Sequence, residues 1–246
     1  MSALEVRGLC KAYGGVQAVK DVSFALDPSE VVALIGPNGA GKTTCFNLLN
    51  GQLAPDAGDI LVGGASVAGL PAHRIARMGV GRTFQITQTF GSMSVRENLQ
   101  LALASHHRTQ YALRGSLGER YGADADALLA RVGMLEQAER PCALLAYGDL
   151  KRVELAIALA NSPRLLLMDE PTAGMAPEER GELMSLAASL AKSEGIAVLF
   201  TEHDMDVVFG HADRVVVLHS GEIIASGRPD DIRADPRVQE VYLGVA

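Results

Sequence analysis

Gly36-Pro37-Asn38-Gly39-Ala40-Gly41-Lys42-Thr43-Thr44 is the stretch on which the reading of this chain turns, because of what stands on either side of it. Before it, VVALI at residues 31–35 is apolar and largely β-branched and predicts a buried strand; after it, CFNLLN at 45–50 reads as the opening of a helix. A strand, a glycine-rich turn ending in Lys-Thr and a helix, in that order, form the phosphate-loop (P-loop) arrangement. Glycines let successive backbone N–H groups converge on one point, the helix N-terminus adds the positive end of its dipole, and a lysine brings a full charge. These nine residues are therefore expected to grip a polyphosphate, with Lys42 reaching the outer phosphates and the Thr43 hydroxyl ligating magnesium.

A phosphate-bound magnesium needs a carboxylate on a neighbouring strand, and LLLMDE at 165–170 supplies two. Asp169 is expected to hold Mg²⁺ through water, while Glu170, one residue beyond the apolar run, is placed to polarise an attacking water as a general base. Similar runs recur as AVLF before Thr201 and RVVVL after Asp213, alternating with helical patterns. That rhythm predicts βα units around a mostly parallel sheet whose central strands are covered on both faces. The opening differs. Segments near residues 4–7, 22–26 and 59–62, separated by Gly14-Gly15, Asp27-Pro28 and Gly63-Gly64, predict an antiparallel β layer. From 94 to 160 the pattern is helical, with a polar, glycine-interrupted stretch at 105–122 expected to be a mobile or variable loop. GEIIASG predicts a hairpin strand, with a short helix following from Pro229.

Bulk properties narrow the class. At 246 residues, with 48% apolar and 21% charged residues, the chain can bury a sizeable core without staples. A net charge of -7 argues against nucleic acid as a partner, since binding it relies on Lys and Arg neutralising phosphates. Cys10, Cys45 and Cys142 are odd in number and lack zinc-type spacing, which suits a reducing compartment. The first residues show no secretory signal, and the apolar runs are far short of the roughly 20 residues a membrane-spanning helix requires.

With the P-loop and the Asp169-Glu170 pair in place, the chain resembles ABC transporter ATPases over nearly its whole length, because further pieces follow in that family's order. Tyr13 resembles the aromatic that stacks on adenine, and Gln85 in GRTFQ the glutamine that touches magnesium and the attacking water while linking core to helical subdomain. Leu145-Ala146-Tyr147-Gly148-Asp149 resembles the signature usually written LSGGQ, which binds the terminal phosphate of ATP held by the opposite subunit; its helix is expected to begin at Asp149. His203 in TEHDMD resembles the switch histidine that contacts the γ-phosphate. Two departures stand out: Ala146 replaces the signature serine, and Ala176 stands where the family's loop usually has Asp or Asn.

The resemblance implies an α/β P-loop NTPase fold, with a RecA-like, mostly parallel sheet core, an antiparallel β layer and an inserted helical subdomain. It implies one ABC domain over 1–246, with the core at 1–84 and 162–246 and the helical subdomain at 85–161. It also implies ATP and Mg²⁺ as cofactors, a second ABC ATPase subunit, transmembrane permease subunits, and indirectly a solute-binding protein. The expected location is peripheral, on the cytoplasmic face of the inner or plasma membrane. LAYGD, GVGRTFQ and the ending GEIIASGRPDDIRADPRVQEVYLG resemble the ATPases of branched-chain amino-acid importers; the lipopolysaccharide-export ATPase is the nearest alternative, ahead of a non-transport P-loop ATPase or kinase. Residues 86–96, with Phe90 and Met93, resemble the groove in which transporter coupling helices dock.

Overall fold

The computed structural model describes residues 1–83, 89–107 and 117–243, the side chains of 117–119 and 243 excepted. Gln85, residues 86–88 of the expected docking groove and residues 108–116 of the expected loop therefore lie outside the described residues. The turn residues of the first quarter separate long strands as expected: β1 (Leu4–Tyr13), β2 (Val16–Leu26), then later β4 (Ala57–Val62) and the two-residue β5 (Ala65–Ser66), which form an antiparallel sheet in the order β2-β1-β4-β5. The apolar runs form the second sheet. β3 (Val31–Ile35), β6 (Val80–Thr83), β7 (Leu165–Asp169), β8 (Ala197–Thr201), β9 (Arg214–His219) and β10 (Glu222–Gly227) lie in the order β10-β9-β3-β8-β7-β6, with every pairing parallel except β10 on β9.

The helices are α1 (Lys42–Leu49) directly after β3, α2 (Ala72–Arg77) between β5 and β6, α3 (Val95–His106), α4 (Leu117–Arg131) and α5 (Tyr147–Leu159) between β6 and β7, then α6 (Pro177–Glu194), α7 (Met205–His211), α8 (Pro229–Ala234) and α9 (Pro236–Leu243). Side chains alternate across a strand, and here both faces are apolar. Val31, Ala33, Ile35, Leu166, Met168, Val198 and Phe200 join one core with residues of α3 to α7, including Leu99, Leu129, Leu155, Leu183 and Val208. The residues between them, Val32, Leu34, Leu165, Leu167 and Leu199, join a second core with Leu4, Ile60 and Phe46, beneath the antiparallel sheet. At ~1.5–3 kcal/mol for each large apolar side chain fully buried, this two-sided burial fixes the register. It leaves the C-terminal ends of β3, β8 and β7 side by side, where ligands of open α/β sheets bind.

Two expectations need correction. Of the stretch expected to be a loop at 105–122, residues 105–106 complete α3 and Leu117 opens α4. Gly118 and Gly122 lower helix propensity, but Tyr121, Ala125, Leu128 and Leu129 share a helical face that is buried in the first core, and packing outweighs propensity. The signature helix starts at Tyr147 rather than Asp149, with Ala146 as its N-cap in an extended conformation (φ -63°, ψ 156°).

Candidate nucleotide-binding site

The loop from Gly36 to Gly41 is pressed between two strands, which is why it needs glycine. A Cβ at Gly36 would stand 2.1 Å from the Leu218 carbonyl oxygen of β9, and one at Gly41, where φ is 104°, would stand 2.3 Å from the Ala18 carbonyl oxygen of β2. The Ala40 carbonyl accepts from Gly221 N at 3.0 Å, closing the same clamp. Lys42, the first residue of α1, is buried, and its Nζ donates to the carbonyl oxygens of Gly36 (2.6 Å) and Pro37 (3.2 Å). Burial pushes its pKa down, and the carboxylates of Glu170 and Asp169 act against that. An ammonium held in this way is desolvated, aimed into the loop and, among the described residues, hydrogen-bonded to neutral carbonyls, so an anion entering the loop gains a charge-assisted partner. Asn38, Gly39, Thr43 and Thr44 line a pocket of about 210 Å³ here, with Glu170 and His203 on its other wall.

The carboxylate pair sits where β7 ends. Asp169 is buried; its Oδ1 accepts from Thr201 Oγ1 at 2.8 Å and its Oδ2 from Arg82 at 3.3 Å. Arg82, on β6, also donates to Asn47 Oδ1 and Gln52 Oε1, both at 3.3 Å, tying the carboxylate to the end of α1. Burial lowers the pKa of Arg82, while Asp169 raises it. Arg82 is absent from the site residues expected from the sequence, because nothing in the residue order around GVGRTFQ places it beside Asp169. Glu170 has φ 48°, a left-handed conformation that strains a non-glycine residue by ~1–3 kcal/mol. Its N–H is held by Thr201 O (3.2 Å) and Thr201 Oγ1 (3.0 Å), and its Oε1 lies 3.1 Å from His203 Nε2. Glu170 and His203 therefore meet although 33 residues separate them in the chain.

The remaining residues singled out from the sequence fall elsewhere. Tyr13 ends β1 with 47% of its surface exposed and does not line the loop pocket. Ala146, Tyr147, Gly148 and Asp149 also lie outside that pocket, at the start of α5. Ala146 provides no side-chain cap, so the first amides of α5 take no hydrogen bond from it, and a Cβ at Gly148 would come within 3.0 Å of the Glu179 carboxylate. Ala176 is likewise the N-cap of a helix, α6, and likewise contributes no capping side chain. Both departures from the family pattern thus fall on helix N-caps. Among the described residues, no cluster of three or more His, Cys, Asp or Glu is arranged to hold a metal, and no helix is long and apolar enough to cross a membrane.

Comparison with known proteins fits this geometry. The ABC transporter family model matches residues 19–173, and the model for the branched-chain amino acid ATP-binding cassette transporter matches residues 222–246. The chain is 43% identical to the high-affinity branched-chain amino acid transport ATP-binding protein LivG of Escherichia coli, covering 99% of this chain and 98% of LivG. It is 42% identical to BraF of Pseudomonas aeruginosa, described in the same words, with the same coverage. Among solved structures, the ADP conformation of MJ1267, an ATP-binding cassette of an ABC transporter, superposes with a TM-score of 0.88 at 29% identity over 99% of both chains. The dimeric post-hydrolysis state of the ATP-binding cassette MJ0796, bound to ADP and Pi, gives a TM-score of 0.78 at 25% identity, over 92% of this chain and 98% of that one. With its loop, carboxylate pair and histidine assembled at the strand ends, and with these matches along its length, the chain belongs to the ABC transporter family, as an ATP-binding and ATP-hydrolysing cassette.

Proposed function

We propose that this cassette drives the import of branched-chain amino acids or closely related small solutes. It does so as one of two ATPase subunits docked on transmembrane permease subunits that a solute-binding protein supplies, at the cytoplasmic face of the membrane. The observation that carries the reading is the 43% identity to LivG along 99% of the chain, extended by the C-terminal match at 222–246. Phe90 supports the docking surface: it is 58% exposed, while its backbone is pinned by Asn98, whose Oδ1 accepts from Phe90 N (2.8 Å) and whose Nδ2 donates to Phe90 O (3.2 Å).

In this reading the amides of residues 36–44 and the Lys42 ammonium take the phosphates of ATP, and the exposed ring of Tyr13 takes the adenine. The donor set suits a hard cation: Thr43 lines the pocket, and the Asp169 carboxylate, held by Thr201, lies at the end of β7. Magnesium held by Thr43 and Asp169 would neutralise charge on the phosphates. Glu170 accepts the proton of the attacking water as general base, and His203, 3.1 Å from it, orients that carboxylate and faces the terminal phosphate. The start of α5, lying apart from the loop pocket, serves the ATP of a second cassette arranged head-to-tail, with Gly148 and the uncapped amides at the anion.

Two measurements test this. Glu170→Gln should retain ATP yet slow hydrolysis by about 10²–10⁴, and should run as an ATP-stabilised dimer on sizing; near-normal turnover removes the base assignment. In proteoliposomes holding the cassette with its permease and binding protein, leucine, isoleucine or valine should stimulate ATPase. Stimulation by an unrelated solute alone, or by lipopolysaccharide, would refute the substrate class.

A further inference from the structure

We propose that Glu202 is a positioning residue for hydrolysis: its buried carboxylate takes both hydrogen-bond donors of Thr172 and so fixes the turn after Glu170, and with it the direction of the Glu170 carboxylate. The inference rests on the reading of Glu170 as general base. Glu202 is 5% exposed and stands between Thr201, the last residue of β8, and His203. A carboxylate this buried is unfavourable unless it is well paired, and among the described residues no lysine or arginine forms an ion pair with it. What it has instead are three donors. Oε1 accepts from Thr172 Oγ1 at 2.6 Å and from Thr172 N at 2.8 Å, and Oε2 accepts from His203 N at 3.2 Å. The first is a short, charge-assisted bond and uses the only proton Thr172 has to give from its side chain.

Those bonds extend a pattern begun in the sheet. β7 and β8 are paired in parallel up to Asp169 opposite Thr201. Beyond that point the two chains stay joined by side chains: Glu170 N to Thr201 Oγ1 at 3.0 Å, then Thr172 to Glu202. Between the two fastenings Glu170 is held at φ 48°, a conformation a glutamate leaves when nothing holds it. Releasing the second fastening lets residues 170–172 relax toward ordinary backbone angles and carries the Glu170 carboxylate away from His203. Glu202 does not line the loop pocket, so it acts through Glu170 rather than on the nucleotide.

The test uses the full-length cassette and reads kcat and ATP affinity separately. Thr172→Val keeps the shape and deletes only the hydroxyl; kcat should fall about 10-fold, as for a sub-ångström misplacement of a catalytic group, with ATP Kd within about 2-fold. Thr172→Ser, which restores the hydroxyl, should recover the rate. Glu202→Met, which has no oxygen to accept from Thr172, should be at least as slow as Thr172→Val, and the double variant should be no slower than Glu202→Met alone, since both singles remove the bond between Thr172 Oγ1 and Glu202 Oε1. Thr172→Val should have no further effect on Glu170→Gln. A Thr172→Val kcat at the parent value, a serine variant as slow as valine, losses that multiply, or equal loss of affinity and rate would each overturn the proposal. Glu170→Gln turning over near-normally while Thr172→Val is slow would instead remove the base role and leave the fastening intact.

Discussion

Ala176→Ser should make the protein more stable, and the amount follows from how α6 begins. Its 18 residues start with Pro177 behind an N-cap, Ala176, that has the right backbone angles (φ -65°, ψ 150°) and no side-chain acceptor. Half of a capping box is already present, because Ala176 N donates to Glu179 Oε2 at 3.3 Å. A serine hydroxyl at 176 would accept from Glu179 N and complete it. An N-cap of this kind contributes ~0.5–2 kcal/mol, and at an exposed helix start about 1 kcal/mol is the reasonable figure. In a chain of this size 1 kcal/mol moves Tm by roughly 2–4 °C, easily resolved by calorimetry or fluorimetry on the purified cassette. The reciprocal control lies in α3, where Ser94 accepts from Glu97 N (3.2 Å) and Ser94 N donates to Glu97 Oε2 (2.7 Å). Ser94→Ala should lower Tm by about the amount Ala176→Ser raises it. If Ser94→Ala lowers Tm as expected and Ala176→Ser leaves it unchanged or lower, the account of α6 as an uncapped helix is wrong.

Tyr13→Ala should weaken ATP binding by about 5- to 150-fold, the equivalent of the ~1–3 kcal/mol that base–aromatic stacking contributes, whereas Tyr13→Phe should bind normally; equal affinity for all three removes the adenine assignment. Phe90→Asp should abolish solute transport by the assembled complex while the isolated cassette hydrolyses ATP at its usual rate, and unchanged transport would show that this surface is not the docking groove. Asp204 caps α7 through Asp206 N (3.0 Å) and Val207 N (3.4 Å) and accepts from Arg180 at 2.7 Å; that Arg180 bond, more than the others, holds its carboxyl below the usual 3.8. A carboxyl with a depressed folded pKa stabilises fully above its unfolded value and loses that contribution as pH falls through the folded one. Asp204→Ala should therefore lower Tm at neutral pH, with the gap closing as the pH is taken below that of a free aspartate; a gap that widens in acid would contradict the assignment.

The glycine loop and the carboxylate pair of the proposed site were legible along the chain because their local structure depends on local rules. A glycine turn that only a residue without Cβ can make, a lysine at the first helical position and a carboxylate at the end of an apolar strand are each set by neighbours a few residues away, and so Gly36 to Thr44, Asp169 and Glu170 could be named from residue order. The parallel sheet was legible too, since strands covered on both faces must be apolar at every position, as β3 is. Contacts decided by strand order were not. Arg82 reaches Asp169, and Thr172 reaches Glu202, only because β6, β7 and β8 are laid side by side by the burial of two cores, and no spacing in the sequence encodes that adjacency. The start of α5 at Tyr147 was likewise settled in three dimensions. Residue order specifies which groups are present and how the backbone near them can bend; which of them meet is set by long-range packing, whose free energy belongs to the whole fold.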